Sequence, residues 1–277
     1  MRASLVECAR NVLPPDEPEV LRALGGLLWR AEKAVRPRRA EAFVEAASRL
    51  FDMHDRAAER LAREGHDADL QRRLEELVLG RVEPAWLDRY LDLSGLVRDD
   101  PPACFLSLGA PHPLAGVCAL ARARPGLSAL HPGLPPTQGA TRADRWLHQR
   151  FTELRMRVPV LWSDTLEAAP RALAEGRDVH AVLTRSLGEA PVTDVEGAIA
   201  GGRVLGEALP NFLAALAPAP VRLVLVHRER DKRWRIEITS EVKAVEIAPT
   251  LAAHVRRWPG QHLPWLAARV DGGDAPH

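Results

Sequence analysis

Cysteine, tyrosine and methionine are scarce in this chain of 277 residues: three, one and three copies. Cys8, Cys104 and Cys118 stand too far apart for a zinc-ligand spacing or a disulfide framework, so a reducing, cytoplasmic setting is expected. An excess of either charge is also missing. Lys and Arg number 38 against 37 Asp and Glu, a net charge of +1, which gives no broad positive field and argues against nucleic acid as a partner. The first residues, MRASLVECARNVLPPDEPE, lack the apolar core of a signal peptide. The longest uncharged run, Pro101 to Ala121, carries Gly109, Pro111, His112 and Pro113 at its middle, so it predicts strand, turn and helix rather than a membrane span. Gly201-Gly202-Arg203 has neither the spacing nor the lysine of a phosphate-binding loop, and Ser107 and Ser186 lack the flanking glycines of a nucleophile elbow. No metal site is expected.

What is present reads as an ordinary globular chain, 46% hydrophobic and 27% charged, with no linker dividing it. The expectation is one domain over residues 1–270, followed by a disordered tail, 271–277. Within it, residues 18–97 read as helical, with apolar side chains at spacings of three and four in Phe43, Ala46, Ala47, Leu50 and Phe51. The ten residues Val20 to Trp29 are apolar apart from Arg22, and Arg30, Lys33, Arg36, Arg38 and Arg39 follow. Such a helix suits either an anionic bilayer surface or its own core with a solvated basic edge.

After the breaker Asp99-Asp100-Pro101-Pro102 the pattern changes. Residues 103–245 form the α/β core of this reading. Cys104 to Leu108, Leu127 to Leu130, Val158 to Trp162 and Val179 to Leu183 read as strands. They alternate with helices at Pro113 to Arg122, Ala140 to Leu154 and Leu166 to Glu175, the rhythm of βαβ units on a mostly parallel sheet. A helix over Val204 to Leu216 leads into a strand at Val221 to Val226. A polar bend, Arg228 to Arg233, then precedes the strictly alternating Trp234-Arg235-Ile236-Glu237-Ile238-Thr239, an antiparallel partner. A C-terminal helical segment occupies 246–270, its helix beginning at Pro249. The predicted class is therefore α/β, a mostly parallel central sheet flanked by helices and preceded by a helical N-terminal region.

His112 is the leading candidate for catalysis. Pro113 suits the first position of a helix, which puts His112 at a helix N-terminus, where the dipole lowers the imidazole pKa and keeps it a neutral base. Asp164, Glu189, Asp194 and Glu196 lie near predicted strand ends from which a carboxylate could approach it. His131 and Arg185 follow predicted parallel strands at the edge where α/β proteins bind ligands, and both are candidate substrate-binding residues. Trp258 and Trp265 suit packing, an acyl chain or a membrane interface.

Several segments, taken in order, resemble the lipid A late acyltransferases, the lauroyl and myristoyl transferases of the lysophospholipid acyltransferase superfamily. They are Arg36-Pro37-Arg38-Arg39, Phe105-Leu106-Ser107-Leu108, Leu114 to Ala121, Ala219 to Val226 with Arg233 to Ile238, and Trp258-Pro259-Gly260-Gln261 with Trp265-Leu266. The resemblance implies a bacterial lysophospholipid acyltransferase-like fold with at most peripheral contact at the inner face of the membrane. The family reaction moves a fatty acyl group from an acyl carrier protein or coenzyme A thioester to a hydroxyl of a lipid or other amphiphile, with no bound cofactor. Its chemistry uses a histidine and an acid five residues later. Here that motif is degenerate. Leu108 and Pro113 stand at the two positions in one register, His112 and Val117 in the other. The family's arginine-proline pair corresponds to His131-Pro132, its later strand-end aspartate to Thr184-Arg185, and its C-terminal basic cluster to Ala267-Ala268-Arg269. The resemblance therefore implies either impaired or altered acyl transfer, or a non-catalytic homologue that binds an acyl chain, a carrier protein or a partner enzyme.

Overall fold

Cys104-Phe105-Leu106-Ser107-Leu108 is buried along its whole length, as a mainly apolar strand must be when both faces of its sheet are covered. The computed structural model describes residues 30, 34, 37–79, 91–92, 101–130, 158, 160–184, 194–229 and 234–267. In chain order the elements are α1 (Pro37–Phe51), α2 (Asp55–Leu79), β1 (Leu91–Asp92), β2 (Cys104–Leu108), α3 (Pro113–Ala123), β3 (Ser128–Leu130), β4 (Leu161–Ser163), α4 (Ala168–Ala174) and β5 (Val179–Leu183). They continue with α5 (Val195–Ala200), β6 (Arg203–Val204), β7 (Glu207–Ala208), α6 (Leu209–Leu216), β8 (Val221–Arg228), β9 (Trp234–Ile238), α7 (Ala244–Arg257) and α8 (Pro259–Ala267).

The main sheet has the order β1-β9-β8-β2-β5-β3-β4. All neighbours are parallel except β8 and β9, which pair antiparallel. The molecule is therefore α/β with a mostly parallel sheet, as the strand and helix rhythm predicts. Side chains alternate between the two faces. Phe105, Val224, Val226, Trp234 and Ile236 pack on α3. Cys104, Leu106, Leu108, Val179, Leu183 and Leu223 pack on the opposite side, with residues of α1, α2 and α4–α8. Each large apolar side chain buried there contributes roughly 1.5–3 kcal/mol relative to exposure.

The N-terminal edge of the sheet is fastened by one buried ion pair. Asp178 accepts from Arg124 Nε at 2.6 Å, from Arg124 Nη2 at 3.0 Å and from the Ala103 amide at 2.9 Å. A bidentate guanidinium and a main-chain donor together satisfy a carboxylate that would otherwise be costly to bury. Strand ends at the opposite edge are left for chemistry.

Several expectations are corrected. Leu91–Asp92 is a strand beside β9, not part of a terminal helix, because pairing with a distant strand overrides local helix propensity. The helix predicted from Val204 begins only at Leu209. Before it, Leu205 and Gly206 take positive φ (49° and 86°) and turn β6 into β7, a tight hairpin. That hairpin is anchored by reciprocal main-chain hydrogen bonds of Thr184 with Arg203, both 2.8 Å. The strand predicted over Val158 to Trp162 is Leu161–Ser163, and α5 was not expected. The last helical segment begins at Ala244 rather than Pro249, where Glu246 accepts from the Lys243 amide at 2.9 Å. It breaks at Trp258, and Pro259 starts a separate helix, as proline favours at a first turn. The predicted helix over Ala140 to Leu154, and residues 18–36 and 271–277, lie outside the described residues apart from Arg30 and Ala34. Among the described residues no helix is long and apolar enough to cross a membrane.

Candidate functional site

Helix α3, which follows β2, packs on one face of the sheet, and α5, the next described helix after β5, packs on the other. Two adjacent parallel strands whose continuations diverge in this way open a crevice at their C-terminal ends, the usual ligand position in an open α/β sheet. The Gly109 amide extends the ladder by one bond to the Leu183 carbonyl, 2.9 Å. The cis Ala110-Pro111 peptide follows. His112 then caps α3.

His112 is 1% exposed. The Ala115 amide donates to its Nδ1 at 3.3 Å. An acceptor Nδ1 places the proton of the neutral ring on Nε2, so the imidazole presents a donor rather than a second lone pair. The ring meets Trp234 edge-on, with centroids 5.1 Å apart, and the Arg228 guanidinium lies over that tryptophan at 4.4 Å. Burial pushes the His112 pKa down to about 3, and the positive charge of Arg72 acts in the same direction. The sequence predicts a neutral ring from the helix dipole; burial is the larger cause. Arg72, from α2, itself donates to Asp69 at 2.7 Å.

The other candidates separate. Asp194 caps α5, its Oδ1 accepting from the Gly197 amide at 2.7 Å. Glu196 and Asp164 are exposed. Asp164 follows β4, three strands from β2, a separation of roughly 14 Å at normal strand spacing. His131, Arg185 and Glu189 lie outside the described residues. Trp265 is a packing residue: a Cβ on Gly109 would stand 3.2 Å from its ring. Trp258 stacks on His227.

Sequence reading missed Arg72 and Trp234, which come to His112 from other elements. It also missed a fully buried pair, Ser107 Oγ and His180 Nε2, 3.0 Å apart between β2 and β5. The only local signal for that pair is polarity inside two apolar strands. Among the described residues no group of His, Cys, Asp or Glu is arranged to hold a metal ion. At this turn the buried His112 Nε2–H, the Trp234 ring and the cations Arg72 and Arg228 are gathered, a set of chemistry suited to a carbonyl or an anion. No family model matches this sequence, and no curated protein matches it either.

Proposed function

We propose that this chain is a lipid A late acyltransferase-like protein, of the lysophospholipid acyltransferase fold, whose strand-to-helix turn binds the acyl group without running the transfer efficiently. The observation that carries this reading is the hydrogen bond from the Ala115 amide to His112 Nδ1. A general base needs a free lone pair and a partner that stabilises the imidazolium. His112 has Nδ1 engaged, and burial with the Arg72 charge opposes protonation. Its Nε2–H is suited instead to donate to a thioester or ester carbonyl, as a neutral imidazole electrophile does. In this reading His131 and Arg185, which follow β3 and β5 in the chain, contact substrate. The acyl donor is an acyl carrier protein or coenzyme A thioester, and the site works in peripheral contact with the inner face of a membrane.

The test pairs turnover with occupancy. Incubation with a labelled acyl thioester and a lipid extract is expected to give no product above background, while native mass spectrometry shows a retained fatty acyl ligand. Acylated product that disappears in His112→Asn, which keeps a side-chain acceptor at the helix cap, would replace the binding reading by acyl transfer. An empty protein with no turnover would overturn both.

A further inference from the structure

Three histidines meet where the end of β8 joins α7 and α8. His227, His254 and His262 are 0%, 6% and 1% exposed. Ring centroids lie 5.4 Å apart for His227 and His254 and 5.1 Å for His254 and His262. Trp258, between the two helices, stacks on His227 at 4.6 Å with 14° between planes. His254 Nε2 lies 3.2 Å from the Val226 carbonyl and donates to it. Neither ring nitrogen of His227 or His262 has a hydrogen-bond partner among the described residues. Imidazoles packed this way are accommodated as neutral rings, because a buried unpaired charge is far more costly than a buried unpaired nitrogen.

The charged groups around the cluster are unevenly placed. From the β8–β9 hairpin, Glu229 and Glu237 lie 3.7 and 3.9 Å from His227 Nε2. Arg235 holds Glu229 at 2.8 Å. Arg257, on α7, disfavours protonation of both His227 and His254. Helix α2 brings Glu64 against Gly260 at the start of α8, while α1 contributes apolar residues such as Phe43, Ala46 and Ala47 to the same core. A first proton therefore goes to His227, beside two carboxylates and over the face of Trp258. A second, on His254 or His262, meets a like charge in a buried setting. Burial holds His254 down at about 4 and pushes His262 well below its ordinary value, where the other two rings add to the effect.

Helix α8 connects this cluster to the crevice. It lies on α2 through Leu263 against Gly65, and one turn beyond His262 its Trp265 covers Gly109. We infer that the His227–His254–His262 cluster is an acid-sensitive latch, which holds α8 and Trp265 over the Gly109 turn at neutral pH and releases them when His254 and His262 take up protons. Two imidazoles that gain protons only in the released state raise its population roughly 50-fold between about pH 6 and pH 5.

Hydrogen exchange on the intact protein, with rates corrected for the intrinsic pH dependence of exchange, reads this directly. Peptides from 259–267 are expected to lose protection by about that factor over this interval, reversibly, while β2 and β5 keep theirs. The same release is expected in His112→Asn, which removes another deeply buried imidazole. It is expected to be absent in His254→Phe/His262→Leu. Should that double variant fail to fold, histidine-labelled NMR of the unmodified chain decides, with His254 and His262 taking up protons only together with α8 release. Loss of protection in α8 and in β2 and β5 together, unchanged α8 protection down to about pH 4.5, or titration of His262 near its ordinary pKa with α8 still protected would each overturn the latch.

Discussion

The side-chain amide of Gln261 makes two hydrogen bonds with the main chain of Arg228, accepting from its N–H at 2.8 Å and donating to its carbonyl at 2.9 Å. Strand β2 pairs with β8 only as far as Val224, and the glutamine supplies main-chain partners beyond that point. It also ties the first turn of α8 to the edge of the sheet that carries the crevice.

Gln261→Ala is expected to destabilise the fold by about 1–3 kcal/mol, because two part-buried main-chain groups lose their partner. Gln261→Glu keeps an acceptor but sets a carboxylate oxygen against the Arg228 carbonyl at neutral pH, so it too should destabilise, and less at acidic pH, where the protonated carboxyl can donate. Urea unfolding measures both. Equal stability of Gln261→Ala and the unmodified chain would show that water replaces the amide.

Two glycines rank in a way that checks the packing of the crevice. A Cβ at Gly202 would lie 2.8 Å from Leu183 Cδ1 and 2.9 Å from the Ile199 carbonyl, whereas at Gly109 the nearest atom is Trp265 Cδ1 at 3.2 Å. Gly202→Ala should cost about 2–3 kcal/mol and Gly109→Ala about 1 kcal/mol or less, the latter with a change in Trp265 fluorescence. The reverse order in thermal unfolding would contradict the arrangement.

Ser107 and His180 have the short contact of an activated serine, yet the two residues are 1% and 0% exposed. The contact runs between two adjacent central strands, and a pair that ties strand to strand in this way is a packing device. A fluorophosphonate probe should leave the folded protein unlabelled at Ser107, and Ser107→Ala should destabilise by about 1–2 kcal/mol. Labelling that Ser107→Ala abolishes would make the pair a nucleophile.

His112 sets a sign for stability against pH. Its pKa is about 3 in the folded chain and about 6.5 when exposed, so below about pH 6.5 the unfolded chain binds a proton that the native one does not. Its contribution is complete above that pH and falls as pH drops toward 3, by on the order of 1.4 kcal/mol per pH unit. His112→Asn should flatten the profile by that slope in urea titrations at about pH 7.5, 6 and 5. An unchanged slope would mean that His112 is solvated.

The strand and helix around His112 were legible because Pro101-Pro102, Gly109 and Pro113 bracket two apolar runs, and punctuation of that kind acts locally. Strand β5 was legible as a short apolar run after Gly176, and the β8–β9 pair from the charged bend at Arg228 and the alternation of Trp234 to Thr239. The β6–β7 hairpin was not, since it needs Leu205 at positive φ, a conformation that sequence assigns to glycine or asparagine. Nor was β1, whose two residues follow a helical-looking pattern and become a strand only by pairing with β9.

By itself, the sequence determined the alternation of strand and helix from β2 to β5, the mostly parallel sheet and the place of a histidine at a strand-to-helix turn, because apolar period, proline and glycine act over a few residues. Only the tertiary structure decided what that histidine can do. Its burial, its contact with Trp234 and the charge of Arg72 depend on separate elements, and desolvation is a property of everything packed around a group. The same holds for His227, His254 and His262: a strand and two helices make them one cluster, and Trp265 on the last of those helices brings the cluster to the turn at Gly109.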